Sequence, residues 1–309
     1  MSYVATLISA PAQPAVTDAL AARVAARLPQ ARLGAWLDPG VAVDIVFDDA
    51  ADKPGATADS LKKLTHELRG LIGAAPVDLV IQPQDARRKK LLVADMDSTM
   101  IGQECIDELA DYAGFKDRVA AITARAMRGE IAFAPALRER VALLKGLPVA
   151  TIDRVIAERI RPNPGAATLV QTMRAHGAHT CVVTGGFTAF MTPLATAIGF
   201  DEYRANTLLT DGAGRLTGEV AKPVLGREAK RDTLLALQQR LHLRREETLA
   251  VGDGANDVPM IEAAGLGIAF HAKPALRDVA SAHIDHGDLT ALLYAQGYRR
   301  EQFVAITAS

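Results

Sequence analysis

Cysteine is scarce in this chain: 309 residues carry only two, Cys105 and Cys181. That is too few for a disulfide framework or a paired-cysteine metal site, and it suits a reducing compartment. Aromatic residues make up 5%, so the core must be largely aliphatic and, with alanine abundant, helical. An excess of one charge is missing as well. Lys+Arg 35 against Asp+Glu 36 leaves a net charge of −1, which argues against a general nucleic-acid or anionic-membrane binder. No apolar run approaches the roughly 18 residues of a membrane-spanning helix. Met1-Ser2-Tyr3-Val4 places no charge before its short apolar stretch, so no signal peptide is expected. What is present is a hydrophobic fraction of 49%, enough for a catalytic domain plus one or two smaller modules. Such proportions fit a cytoplasmic enzyme without saying which.

The first stretch reads as a small α+β unit. Val4–Ile8 is strand-like, and Thr17 caps a helical pattern through Leu20, Val24 and Leu28. Strands 32–37 and 41–47 follow, separated by the turn Asp38-Pro39-Gly40. A second helix from Asp59 and a strand over 77–81 complete the order βαββαβ, that of a ferredoxin-like sandwich. Gln82-Pro83-Gln84-Asp85 and the basic run Arg87-Arg88-Lys89-Lys90 read as a linker, its charges simply solvated.

From Leu91 onward, short apolar runs alternate with helical segments: 91–94, 181–183, 249–251, 267–270 and, weakly, 283–284. Runs of this kind suit a doubly wound, Rossmann-like parallel sheet buried on both faces. Between the first and second runs the pattern is helical for far longer than a crossover needs. The excess, 102–161, is read as a helical subdomain inserted over the carboxyl edge of the sheet. The domain reading is therefore 1–84, a core of 85–101 with 162–309, and an inserted cap of 102–161.

Ligands of open α/β sheets bind beyond the carboxyl ends of the strands. Those ends carry Asp95-Met96-Asp97-Ser98-Thr99, Thr184-Gly185-Gly186 and Gly252-Asp253-Gly254-Ala255-Asn256-Asp257, with Lys230 on an intervening helix. Carboxylates gathered on one rim repel one another and resist desolvation unless a cation compensates them. Oxygen-only ligands favour Mg²⁺, which would take further oxygens from water or a phosphate. Gly252-x-Gly254 alone invites a dinucleotide reading, but the third glycine and the acidic residue about twenty positions on are missing.

Asp95-x-Asp97-x-Thr99, Thr184-Gly185, Lys230 and Gly252-Asp253-Gly254-x-Asn256-Asp257, in that order, resemble the four motifs of the haloacid-dehalogenase-like phosphohydrolases. The flanks Glu104, Asp107-Glu108-Leu109-Ala110, Arg138-Glu139-Arg140-Val141 and Val258-Pro259-Met260 bring the closer resemblance to the phosphoserine phosphatase family, over 91–285. The resemblance implies Mg²⁺-dependent hydrolysis of O-phosphoserine. Asp95 would be the nucleophile, giving an aspartyl-phosphate, and Asp97 the general acid and then base. An Asp near its reference pKa of about 3.9 donates protons poorly at neutral pH, so the site must raise that of Asp97. Asp95, Asp253 and the backbone carbonyl of Asp97 are the implied Mg²⁺ ligands, with Asp257 behind them. Thr184, the Gly185 amide and Lys230 would hold the phosphoryl oxygens, and Asn256 would orient Lys230 or the phosphoryl group.

Substrate choice falls to the insertion. Glu104 can meet a substrate ammonium, and Arg140, flanking the apolar stripe of its helix, can bind a carboxylate bidentately. Met127 and Phe133 are candidates to line the pocket. The segment 208–218 reads as a β-hairpin beside the site. Cys181 and Cys105 read as inert. The N-terminal unit resembles ACT-type domains, but its first loop, Ser9-Ala10-Pro11-Ala12-Gln13-Pro14, lacks the glycine that often receives an effector; a homodimer through this unit is an open alternative. Another small phosphomonoester, phosphoryl transfer to a second alcohol, or an amino-acid-sensing protein without activity are the competing functions. Intact catalytic positions weigh against the last.

Overall fold

A computed structural model of the chain describes residues 2–48, 58–127 and 130–306. The N-terminal part contains β1 (Ser2–Ser9), α1 (Asp18–Ala25), β2 (Arg32–Asp38), β3 (Ala42–Asp48), α2 (Ala58–Ile72) and β4 (Val77–Pro83). Thr17 caps α1 by accepting a hydrogen bond from the Leu20 amide at 3.1 Å. The four strands form an antiparallel sheet in the order β2-β3-β1-β4. This is the ferredoxin-like arrangement that βαββαβ allows. Tyr3, Ala5, Leu7, Val43, Ile45 and Leu79 pack beneath the two helices. Ile8, Ala42 and Val80 face the other way, into a cluster shared with the second half of the chain. The sheet is thus covered on both sides, which is why β1 is buried along nearly its whole length.

The second half holds β5 (Leu91–Ala94), then α3 (Cys105–Tyr112), α4 (Lys116–Met127), α5 (Phe133–Ala142), α6 (Ala150–Arg159) and α7 (Ala166–Ala175). There follow β6 (His179–Phe187), α8 (Thr188–Ile198), β7 (Glu202–Asn206), the hairpin β8 (Leu208–Thr210) and β9 (Leu216–Val220), and α9 (Arg227–Arg240). β10 (Thr248–Gly252), α10 (Val258–Ala263), β11 (Leu266–Phe270), α11 (Pro274–Arg277), β12 (Ala282–Ile284) and α12 (Ala291–Ala295) complete it. Six of these strands make a parallel sheet in the order β12-β11-β10-β5-β6-β7. Residues of a strand alternate between faces. Leu92 and Ala94 therefore pack with Leu169 and Met173 of α7 and Leu292 of α12, whereas Leu91 and Val93 pack with Leu234 of α9 and Met260 of α10. Helices on both faces explain the uninterrupted apolar runs.

The edge strand β7 is absent from the sequence reading. Its Glu202, Tyr203 and Ala205 are only half-buried and Arg204 is exposed, so no apolar run marks it. Between β5 and β6 the chain leaves through Ile101 and returns through Pro162, and these two residues form an antiparallel bridge. Helices α3 to α6 hang from that neck. Leu109, Leu137, Val141 and Val155 pack continuously with Phe190 and Leu194 of α8 and with Leu208 and Leu216 of the hairpin.

The basic run corrects the expectation of a solvated linker. Arg87 donates to both carboxylate oxygens of Asp44 at 2.6 Å, to Thr6 Oγ1 at 2.8 Å and to the carbonyls of Ala295 and Tyr294 at 2.9 and 3.2 Å. Arg88 lies over the Tyr298 ring, 4.2 Å from its centroid. Lys89 is buried, donating to the carbonyls of Ala86 and Glu246 at 2.8 Å each. Lys90 pairs with Glu247 at 2.8 Å. Nearby, Tyr294 donates to Asp38 at 2.6 Å and Gln82 to the Ala295 carbonyl at 2.7 Å. Asp78 accepts the amides of Asp285, His286 and Gly287. A long-range hydrogen-bonding partner overrides local charge repulsion, so the run rivets the N-terminal sheet to the parallel sheet.

Candidate active site

Asp95 follows β5 directly, and the next residues turn tightly. The Met96 carbonyl accepts the amides of Thr99, Met100 and Ile101 at 3.2, 2.8 and 3.1 Å, and Ser98 takes a left-handed φ of 58°. This turn brings Asp97 back over the sheet, where its Oδ1 accepts the Cys105 amide at 3.2 Å. A Cβ placed on Gly186 would lie 3.2 Å from Asp97 Oδ2 and 3.1 Å from Thr184 Oγ1, so both side chains border the same space beside β6.

Asp95, Asp253 and Asp257, all buried, each bring a carboxylate oxygen within 4.8 Å of the others. Lys230, 2% exposed, projects from α9 between them, its Nζ 2.6 Å from Asp95 Oδ1 and 2.6 Å from Asp257 Oδ1. Asp257 stands at the N-cap position of α10 but makes no side-chain cap bond. Its carboxylate reaches back instead, accepting the Asp253 and Gly254 amides at 3.1 and 3.0 Å. Only glycine fits beneath it, because a Cβ on Gly252 would come within 2.4 Å of Asp257 Cγ. Lys273, just past β11, lies 3.1 Å from Asp253 Oδ2.

These contacts engage both oxygens of Asp257 and one oxygen each of Asp95 and Asp253. The other oxygens of Asp95 and Asp253 stay outside them, and together with nearby backbone carbonyls they fit a small hard cation. Electrostatics point the same way. Burial first, then Asp257, pushes Asp95 well above the ordinary carboxylate range against the pull of Lys230. Burial alone would lower Lys230, but Asp257 and Asp95 outweigh it and keep the ammonium charged. The cluster is short of positive charge. Asp97 is pushed up to about 7, by burial first and by Glu104 next, which makes it a competent proton donor near neutrality.

Thr184 accepts the Gly186 amide at 2.8 Å, leaving its hydroxyl hydrogen free to donate elsewhere. Gly185 lies against Phe133, whose ring would come within 2.9 Å of a Cβ there. Phe133 is 40% exposed at the start of α5, an apolar ring beside a polar cluster. Glu104 sits at the N-terminus of α3 and accepts a hydrogen bond from Ser98 at 2.9 Å. Arg140 donates to the Ala136 carbonyl at 3.4 Å. Among the described residues no carboxylate lies within ion-pair distance of it, although Asp107, Glu104 and Asp97 all pull on its charge while burial lowers its pKa. Cys105 and Cys181 are both buried, and burial foremost raises their thiols, the latter to about 12, which disfavours the thiolate.

Asn256 departs from expectation in one respect. It is exposed, with Oδ1 over Gly254, while Asp95 and Asp257 orient Lys230. A neutral amide does not displace two carboxylates from an ammonium. The side chain of Met127 lies outside the described residues. Lys273 and Asn206 were not singled out from sequence. Lys273 follows a strand's carboxyl end, so the rule that exposed the other motifs could have found it. Asn206 carries no motif.

The match to known proteins agrees with this geometry. Residues 92–262 match the model of the haloacid dehalogenase-like hydrolase family, and the chain belongs to that family. Over 208 residues it is 47% identical to the phosphoserine phosphatase of Polaromonas sp., covering 66% of this chain and 88% of that protein. It is 46% identical over 223 residues to phosphoserine phosphatase SerB2 of Mycobacterium tuberculosis, covering 72% of this chain but 54% of that longer protein. A solved phosphoserine phosphatase carrying an analogue of the phospho-aspartyl intermediate superposes with a TM-score of 0.62 at 39% identity, over 69% of this chain and all of that one. Within the hydrolases, the chain groups with the phosphoserine phosphatases.

Proposed function

We propose that this chain hydrolyses O-phosphoserine to serine and phosphate through an aspartyl-phosphate on Asp95, the closing step of serine biosynthesis in the cytoplasm. The observation that carries the reading is the buried cluster of three aspartates, two of them paired with Lys230, with Asp97 pushed up to about 7 beside it. Asp95 attacks phosphorus as the bond to the serine oxygen breaks, and Asp97 gives that oxygen its proton. Asp97 then takes a proton from the water that attacks the phosphoryl group, releasing phosphate and restoring Asp95. The Thr184 hydroxyl, the Gly185 amide and the Lys230 ammonium hold phosphoryl oxygens, with Asn256 at the rim. Mg²⁺ fits the oxygen-only donors; Asp95, Asp253 and the Asp97 carbonyl would hold it and Asp257 would brace them, and when bound it neutralises phosphate charge.

Glu104 and Arg140 give the site its preference for an amino acid. The first meets the ammonium of the substrate and the second its carboxylate, a complement that a sugar phosphate would not use. We read 102–161 as a cap that excludes bulk water, 85–101 with 162–309 as the catalytic core, and 1–84 as an ACT-like domain with no site residue of its own. The test is phosphate release from a panel of phosphorylated metabolites, with Mg²⁺ and with chelator. Phosphoserine should be hydrolysed fastest and chelator should abolish release. Preference for another phosphomonoester would move the reading to that substrate, and consumption of phosphoserine that needs an added alcohol and yields that alcohol's phosphate ester in place of free phosphate would make the protein a transferase.

A further inference from the structure

Asn206 ends β7, 3% exposed, on the strand that the sequence pattern hides. Its single primary amide makes three hydrogen bonds. Nδ2 donates to the Gly185 carbonyl at 2.9 Å and to the Leu225 carbonyl at 3.1 Å, and Oδ1 accepts the Leu225 amide at 2.8 Å. Both partners sit at the site. The Gly185 carbonyl and the Gly186 amide belong to one peptide unit; Thr184 Oγ1 holds the amide end at 2.8 Å and Asn206 holds the carbonyl end. A planar peptide pinned at both ends cannot rotate, so the Thr184 hydroxyl and the adjoining Gly185 amide keep their aim. Leu225 immediately precedes Gly226, the N-cap of α9, the helix that carries Lys230.

We infer that Asn206 is the positioning residue that sets the distance between the two halves of the phosphoryl-oxygen cradle, the Thr184–Gly185 loop and Lys230. It touches neither substrate nor any reacting atom. A buried amide whose donors and acceptor are all satisfied by backbone on both sides holds those two segments rigidly together, and no other side chain among the described residues bonds both the Gly185 and Leu225 backbones. The inference rests on the reading of Thr184, Gly185 and Lys230 as phosphate-binding, but not on the identity of the alcohol.

The experiment is binding of inorganic phosphate to the Mg²⁺-loaded protein by calorimetry, beside hydrolysis of phosphoserine and of an aryl phosphate, for wild type, Asn206→Ala and Asn206→Asp. Asn206→Asp retains shape and the acceptor for the Leu225 amide but loses the donors, so it tests the proposal if Asn206→Ala does not fold. Outer residues of this kind typically contribute about 10- to 100-fold. The folded variant should bind phosphate at least about tenfold more weakly, with KM raised alike for both substrates and with the Mg²⁺ concentration for half-activation unchanged. Unchanged phosphate affinity in a folded variant overturns the proposal. If wild type cleaves only the aryl phosphate, the phosphoserine reading fails while the phosphate affinities still decide the role of Asn206.

Discussion

Two groups of charges are withdrawn from water in this protein, at the junction of the sheets and at the rim of the parallel sheet, and they are treated in opposite ways. At the junction, Arg87 finds five hydrogen bonds among Asp44, Thr6, Ala295 and Tyr294, and Asp78, which burial also pushes upward, accepts three backbone amides that pull it back. At the rim, Lys230 must serve two carboxylates at once, and Asp95 and Asp97 are both pushed upward, chiefly by burial. A buried charge whose partners are complete holds structure together; one whose partners are incomplete stores a demand that a ligand can meet. The first kind should be felt in stability and the second in chemistry.

The strongest way to break this comparison is at Asp95. Asp95→Asn should lower turnover by about 10⁶-fold, in the range of lost catalytic nucleophiles, while leaving the melting temperature equal to or above that of wild type, because one repelling carboxylate is gone. Stopped assays and thermal melts on the same sample check both halves. A large loss of stability would mean that the rim is structural after all. Next in size, Arg140→Ala should reduce kcat/KM for phosphoserine by about 100-fold, the scale of a lost charged hydrogen-bond pair, and for an aryl phosphate by far less. Equal losses on the two substrates would make Arg140 a support of its helix.

The junction gives the mirror prediction. Arg87→Ala leaves Asp44 buried without its cation and should cost about 3–5 kcal/mol in denaturant unfolding, with kcat/KM on the folded protein little altered. The smallest effect concerns Lys89, whose pKa burial lowers to about 8, against a raising pull from Glu246. Its ammonium loses a proton more readily in the folded than in the unfolded chain. From about pH 8 upward the unfolded state therefore binds the extra proton, and stability gains from this group as pH rises toward the usual lysine range. Lys89→Met should flatten that rise, as read from unfolding midpoints between pH 7.5 and 10; an identical slope in both proteins would remove Lys89 as its source.

Residues gathered by strand order could be read in advance, and residues gathered by distant contact could not. Asp95 and Asp253 directly follow strands with an apolar core, and Thr184 lies in the carboxyl-terminal half of another, so the periodicity that located β5, β6 and β10 also delivered the rim. Thr17 and the Asp38-Pro39-Gly40 turn were legible because capping and turn chemistry are local. By contrast, Arg87 is stabilised by Asp44 and Ala295, far away on either side in sequence, and nothing in a run of four cations announces them. β7 is a half-exposed edge with one apolar face, and Asn206 at its end is an isolated amide. Its importance lies in which carbonyls it meets, a property of the fold.

The measurement closest to the central claim is peptide mapping by mass spectrometry of Mg²⁺-loaded protein quenched during turnover of phosphoserine. The account predicts a single acyl-phosphate on the peptide containing Asp95, absent from Asp95→Asn. A phosphoryl group on Asp253 or Asp257, or steady turnover with no covalent adduct, would contradict it.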